Sequence, residues 1–230
     1  MSQLEVTEKT RIRRGPKRAV FDRAILEQVF NQAHVAHVGF IQDDPSGEGL
    51  SGKIQPFVIP MLCWIDGDLL YVHGASSSRM IKTLTGGSEA CVTATILDGM
   101  VLSKSAFHHS ANYRSAMVFG QFFLIENPIE INRQYKIFME RIAPGRWDEV
   151  RPPSEIELKA TKMLAIKLDQ ASVKVRSGGP NEDKEDLDIP AWTGEMVIKH
   201  PLTAMVADQH STDGIKVPDY SEAWDDRWRV

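Results

Sequence analysis

The run Leu69-Leu70-Tyr71-Val72-His73-Gly74-Ala75-Ser76-Ser77-Ser78-Arg79-Met80-Ile81-Lys82 holds the residue types needed to bind an anion. An apolar strand ends, small residues follow, and a helix opens with hydroxyls and an arginine in its first turn. Such a start presents unpaired backbone N–H groups and the positive end of the helix dipole. Gly74 and Ala75 let the backbone approach a phosphate, Ser76 and Ser78 can donate to it, and Arg79 can clasp two of its oxygens. The lysine-bearing Walker signature does not occur, so this is not a nucleoside-triphosphate loop. The same residues also describe a serine-capped helix that follows a strand. The local pattern leaves both readings open.

A second stretch, Ser103-Lys104-Ser105-Ala106-Phe107-His108-His109-Ser110-Ala111-Asn112-Tyr113-Arg114-Ser115, crowds hydrogen-bonding side chains at the entry to an apolar strand. Neighbouring residues on a strand point to opposite faces, so His108 and His109 cannot easily close on one ion. No carboxylate or cysteine nearby completes a ligand set. No metal site is expected, and the stretch reads as a polar rim that reaches a cofactor. The two cysteines, Cys63 and Cys91, lie in apolar runs without CxxC spacing, which predicts buried thiols in a reducing cytoplasm.

These residues need elements to carry them. Asp22 is placed to cap a helix whose apolar face is Ile25, Leu26, Val29 and Phe30. The period then shortens to that of strands, over residues 35–41, 54–64, 69–73, 89–97 and 113–125. Asp66-Gly67-Asp68 and Asp98-Gly99 read as hairpin turns. Pro56 and Pro60 cannot donate to a ladder, so their strand is expected at an edge or at a bulge. Helices are predicted over 78–84 and 129–142. Ser154 and Glu157 form a capping-box pattern ahead of a short helix. Strands return at 163–168 and 172–176. Residues 178–190 are rich in glycine, proline and acids and read as a mobile loop, and 192–198 as a last ordered element. At least six short strands joined by turns, with few helices, suit a closed antiparallel barrel better than a doubly wound sheet. The expected organisation is a basic arm over 1–18, one domain over 19–198 and a tail over 199–230.

Composition excludes several classes. The net charge is -4, which gives no bulk attraction to nucleic acid or an anionic membrane. Lys9, Arg11, Arg13, Arg14, Lys17 and Arg18 make the first residues locally basic, most simply a solvated leader. No apolar stretch approaches the ~20 residues of a membrane span, and the first 25 residues lack a signal-peptide core.

The order of these motifs resembles that of the pyridoxamine 5′-phosphate oxidase-like split barrels that bind FMN, in the branch that includes nitroimidazole-resistance proteins. Three blocks carry the resemblance. Pro56-Phe57-Val58-Ile59-Pro60-Met61 resembles the strand that lines the flavin ring. His73 to Met80 resembles the phosphate segment, with Ser78-Arg79 on its Ser-Arg pair. Phe107 to Gly120 resembles the block that faces the cofactor across a dimer interface. The resemblance implies a mainly β fold with flanking helices, a six-stranded antiparallel split β-barrel of the FMN-binding type. It implies a homodimer with FMN at the subunit interface.

The roles it implies follow the blocks. Val58, Ile59 and Pro60 would meet the isoalloxazine. His73, Gly74 and Ala75 would line the ribityl and phosphate path, and Ser76, Ser78 and Arg79 would hold the phosphate. Ser110, Asn112, Tyr113, Arg114 and Ser115 would reach the cofactor from or near the second subunit. Trp192 would either cover the flavin or anchor the C-terminal segment. Met80 stands where the oxidases proper carry a lysine, and Lys82, two residues on, is expected to point elsewhere. The implied activity is an oxidoreductase that takes hydride from NADH or NADPH and passes it to a small acceptor such as a nitro compound. No catalytic acid or base stands out, although His73 and His109 could deliver protons. The alternative is a protein that binds FMN, haem or a deazaflavin without turnover.

Overall fold

The structure is a computed structural model, and it describes residues 3–33, 35–43, 54–199, 204–206, 218–220 and 224. The loop expected after Asp43 and most of the tail lie outside the described residues. In chain order the elements are β1 (Ala19–Val20), α1 (Arg23–Gln32), β2 (Ala36–Asp43), β3 (Ile54–Met61), β4 (Trp64–Asp66), β5 (Leu69–Ala75), α2 (Arg79–Thr85), β6 (Glu89–Leu102), β7 (Ser110–Gln121), β8 (Phe123–Leu124), α3 (Pro128–Ile142), α4 (Glu155–Ala160), β9 (Thr161–Lys167), β10 (Ala171–Arg176) and β11 (Gly194–Val197). They fall in two compact units, Met1–Ile125 with Lys159–Lys199, and Glu126–Leu158 with His200–Val230.

The first unit holds every strand among the described residues. One sheet runs β1-β10-β7-β6-β2-β3, with β11 also paired to β6, and a second runs β4-β5-β9-β8. All pairs are antiparallel. Alternation along the large sheet separates two faces. The row Ile59–Val38–Val92–Val118–Ala171 faces the core. The row Pro60–His37–Thr93–Met117–Ser172 faces outward. Leu70, Val72, Leu164 and Ile166 of the small sheet join the core, as do Leu26, Val29 and Phe30 of α1. The Asp22 carboxylate caps α1 by accepting from the Ala24 N–H at 2.9 Å.

The prolines fall where their chemistry requires, because β3 is the end strand of its sheet. The run expected as one strand over 54–64 is two, since the chain leaves one sheet after Met61 and enters the other at Trp64. Asp98-Gly99 is not a hairpin. β6 continues through it with a bulge between Leu97 and Gly99. Beyond the bulge β7 pairs one edge of β6 and β11 the other, so the strand is held on both sides. Gly99 is required there: a Cβ would stand 2.8 Å from the Met196 carbonyl oxygen. The chain turns instead at Ser103–His109.

The segment 178–190 is anchored rather than mobile. Glu182 accepts from the Ser103 hydroxyl at 2.8 Å and from the Lys104 N–H at 3.1 Å. The Lys104 ammonium donates to the Leu187 carbonyl at 2.8 Å, and His108 meets Asp183 at 2.9 Å. The start of the chain is also seated, with Leu4 buried and its N–H donating to the Phe21 carbonyl at 2.7 Å. In the second unit Asn127 caps α3, and Ser154 and Glu157 exchange both capping-box hydrogen bonds.

Candidate functional site

The cradle is built by β5 and α2. After Ala75 the chain turns tightly, with the Ser78 N–H donating to the Ala75 carbonyl at 2.9 Å. The Ser76 N–H donates to the Ala160 carbonyl at 2.9 Å, which pins the turn. Ser78 caps α2 by accepting from the Ile81 N–H at 3.3 Å. That bond uses an oxygen lone pair and leaves the hydroxyl proton to donate outward. Met80, Ile81 and Leu84 bury the inner face of α2. Gly74 is small because Ile81 lies over it; a Cβ would meet that side chain at 3.3 Å.

Arg79 stands on the exposed face of α2, with its guanidinium 4.5 Å from the centre of the Phe57 ring of β3. Phe57 in turn stacks on Phe40 at 5.6 Å. A cation over an aromatic face is held in direction without losing its hydrogen-bond donors. Among the described residues Arg79 makes no ion pair, so its donors remain for an outside anion. His73 is half-buried on β5, its ring tilted against Trp64 at 5.8 Å. Burial pushes its imidazole pKa down, so the ring is neutral at neutral pH. His73 therefore offers a hydrogen bond and not a charge. His109 is exposed and its Nδ1 lies 3.0 Å from the Ser105 carbonyl oxygen.

On β3 the residues alternate. Ile59 turns toward the core, and Val58, 65% exposed, lies with Pro60 on the outward face. The β7 block divides by the same alternation. Tyr113 and Ser115 share the outward side with Met117, and Arg114 lies on the side of Ala116 and the core. Arg114 forms a two-pronged pair with Asp98, at 3.0 and 2.8 Å, and also donates to Gln32 of α1. Asn112 is buried, accepts from Arg176 and donates to Glu195 of β11. Arg176 donates further to the carbonyls of Gly178 and Gly179, at 2.9 and 3.1 Å. Ser110 opens β7 opposite Val101. Trp192 is 69% exposed just before β11, with its ring against Gly194.

The structure thus joins two of the three blocks. Arg79 bridges the serine turn to the Phe57–Pro60 strand. Among the described residues, no hydrogen bond or ring contact connects Arg114, Asn112 or Trp192 to the cradle within one chain. β11 and Trp192 lie toward the 99–102 end of β6, and β2 and β3 toward its 90–93 end. Met80, the position of the missing lysine, is 3% exposed and packs inward. Lys82 points away from Met80, as expected, and lies on the exposed face of Arg79, three residues back.

The family model of pyridoxamine 5′-phosphate oxidase matches residues 22–175. The chain belongs to this family. Its fold is the family's split barrel, mainly β with helices on its flanks. Among solved structures, the flavocytochrome Anf3 from Azotobacter vinelandii is 30% identical, over 93% of this chain and 94% of that one, with a TM-score of 0.83. The FAD and haem binding protein from Mycobacterium smegmatis is 28% identical, over 87% and 94%, with a TM-score of 0.78. A candidate 5-nitroimidazole antibiotic resistance protein from Bacteroides thetaiotaomicron shares the fold, at 23% identity over 68% and 86% and a TM-score of 0.54. No curated protein matches the sequence. This member of the oxidase family therefore sits among proteins that bind flavin and, in two cases, haem.

Proposed function

We propose that the protein is a flavin-dependent oxidoreductase that works as a homodimer in the cytoplasm on a small acceptor. The observation that carries this reading is the Arg79 guanidinium, exposed, laid over Phe57 and backed by the Ser76 and Ser78 hydroxyls. That set fits the phosphate of the FMN moiety, which FMN and FAD share. Arg79 and the serines hold the phosphate, and Gly74 and Ala75 keep its path clear of side chains. His73 stays neutral beside the ribityl path. The backbone of Val58–Pro60 lines the ring, and Met80 packs the cradle from beneath. A bound flavin supplies acceptance and return of hydride. The chain's part is to orient it and to exclude water.

The outward sheet face supports the dimer. Ile41, Val58, Leu97 and Met117 lie exposed there, with Pro60 between them. An apolar surface of that kind on one side of a sheet suits an isologous partner. Tyr113 and Ser115 point to that side and reach toward the partner's cofactor, and Ser110 and Trp192 flank them. Arg114 and Asn112 hold β7 in place from the inward side. No described helix is long and apolar enough to cross a membrane.

The test is flavin titration of the purified chain, with Arg79→Ala as control. Quenching of flavin fluorescence that Arg79→Ala weakens supports the reading, and no quenching in the native chain overturns it. Anaerobic bleaching of the bound flavin by NADH or NADPH supports turnover. A flavin that neither nucleotide reduces leaves a binding protein.

A second ligand is favoured by one further observation. His37 is exposed on the apolar outward face, between Pro60 and Thr93. An imidazole among apolar residues suits a haem iron, and both near-full-length relatives are described as haem proteins. A Soret band that His37→Ala abolishes supports haem there; its persistence in that variant rules out His37 as the ligand.

A further inference from the structure

The basic start of the chain is a folded turn and not a loose leader. The Thr7 and Thr10 hydroxyls each accept the other residue's N–H, and the Thr7 hydroxyl also donates to Gln170, just ahead of β10, at 2.8 Å. Gly15 then takes a φ of 66°, in the left-handed region that favours glycine. The Arg18 N–H closes the turn on the Gly15 carbonyl at 3.0 Å, and Ala19 enters β1 opposite Lys174 of β10. A Cβ on Gly15 would stand 3.7 Å from the Arg18 Cδ and 3.9 Å from the Lys174 Nζ. Two cationic side chains from two elements thus flank one point. Arg14 and Lys17, both exposed, lie on either side of it in the sequence.

The partners of the basic residues set this group apart from its neighbours. Lys9 pairs with Glu89 at 3.0 Å, and Arg13 pairs with Glu8. Arg14, Lys17, Arg18 and Lys174 make no ion pair among the described residues. Like charges this close repel, and an anion between them relieves the repulsion. Convergence of a short turn and one strand on a single point suits a compact dianion. A nucleic acid is disfavoured by the net charge of -4 and by the absence of any aromatic residue from the run 11–18. The place is also informative. The outward row runs Thr95–Ser115–Lys174–Ala19. Adjacent strands lie about 4.8 Å apart, so the cations begin one strand from Ser115, a residue read above as reaching the partner's cofactor.

We propose that Arg18 and Lys174, with Arg14 and Lys17, clasp the 2′-phosphate of NADPH and so select it over NADH as the reductant. The proposal rests on the flavin oxidoreductase reading and sharpens it. A phosphate monoester carries nearly two negative charges at neutral pH and three acceptor oxygens, a match for arginine and lysine donors. NADH has only a hydroxyl at that position and gains nothing from the four cations.

The test is calorimetric titration of the purified full chain with two redox-silent probes, adenosine 2′,5′-bisphosphate and adenosine 5′-monophosphate. The variants are Lys174→Met, which keeps the apolar stem, and Arg18→Gln. Arg13→Gln is the control, because Glu8 already takes its charge. The native chain is expected to bind the bisphosphate at least about tenfold more tightly than the monophosphate. Lys174→Met and Arg18→Gln are each expected to cut that ratio to about threefold or less, and Arg13→Gln to leave it within about twofold. In the same two variants the KM for NADPH is expected to rise about tenfold while the KM for NADH and kcat stay within about twofold. Equal affinity for the two probes in the native chain, or a native ratio in both variants, overturns the proposal. Tighter binding of a single-stranded RNA oligonucleotide than of the bisphosphate assigns the turn to nucleic acid and overturns it too. Selective bisphosphate binding by a chain that takes up no flavin overturns the flavin reading instead, and with it the assignment of NADPH as reductant.

Discussion

Two polar clusters in this chain look alike in sequence and behave oppositely in the fold. The turn and helix from Ser76 to Gly86 carry hydroxyls, Arg79 and Lys82, and both cations are exposed and make no ion pair among the described residues. The block from Ser103 to Ser115 carries as many polar groups, yet most are consumed inside the chain. Arg114 is spent on Asp98 and Gln32, Asn112 on Arg176 and Glu195, and Lys104 and His108 on the 182–189 segment. A buried polar group must be paired, and an exposed one need not be. The difference shows that partner accounting, more than polar density, separates a place for a ligand from a strut. On that basis the first cluster is open to a ligand and the second braces the fold.

The sharpest break is Arg114→Ala. It leaves the Asp98 carboxylate and the Gln32 carbonyl without their shared donor at the junction of α1, the bulge and β7. Removing one partner of a buried pair costs about 3–5 kcal/mol, and the partial exposure of Asp98 reduces this to about 2 kcal/mol. Chemical denaturation should show that loss, with flavin affinity of the folded fraction little changed. Native stability together with lost flavin binding would reverse the assignment and make Arg114 a cofactor ligand.

Arg79→Ala is the mirror experiment. Stability is expected to fall by less than about 1 kcal/mol, the value of an exposed cation–π contact. Flavin affinity is expected to fall ~10–100-fold, because a charge-assisted hydrogen bond contributes about 1.5–3 kcal/mol. Fluorescence titration and a melting curve of the same sample separate the two effects. A variant that melts early and binds normally would make the serine turn only a helix cap.

The fold was largely legible because its signals are local. Asp22, Ser78, Asn127 and Ser154 stand at helix starts, and Pro56 and Pro60 mark an edge strand. The failures are of another kind. Asp98-Gly99 has the composition of a hairpin turn, but β7 and β11, the second from about a hundred residues away in the sequence, pair along β6 and draw it straight through. The acids of 178–190 suggest mobility until Ser103, Lys104 and His108 are found against them. The strand, turn and helix that expose Arg79 were legible, whereas the internal use of Arg114 was not. No local pattern reveals that a guanidinium on β7 faces Gln32 on α1.

The bulge gives a smaller test of the bracing cluster. Gly99→Ala places a methyl group 2.8 Å from the Met196 carbonyl, a backbone atom that cannot move alone. β11 must shift, and Glu195 with it, which loosens the bond to Asn112. The expected cost is about 1 kcal/mol, within the range of ordinary single substitutions. Hydrogen exchange should quicken at Ile198, whose N–H is bonded to the Asp98 carbonyl at 3.0 Å, and stay unchanged on α2. Faster exchange on α2 as well would mean that the two clusters are not independent.

The smallest effect separates the clusters by pH. Burial holds the His73 pKa below its unfolded value of 6.5. Between the folded pKa and 6.5 the unfolded chain binds a proton that the folded chain does not, so folding loses stability as pH falls through that window. Above 6.5 both states are neutral at this site and it contributes no slope. His73→Gln keeps a polar side chain on β5 and removes the titration. The native chain should therefore lose more stability than the variant between pH 7 and 5.5, and the two should run parallel above pH 7. The bracing cluster is identical in both proteins, so the difference between the curves isolates the cradle. Curves parallel at every pH would show that His73 is as well hydrated in the folded chain as in the unfolded one, and that the floor of the cradle is open to water.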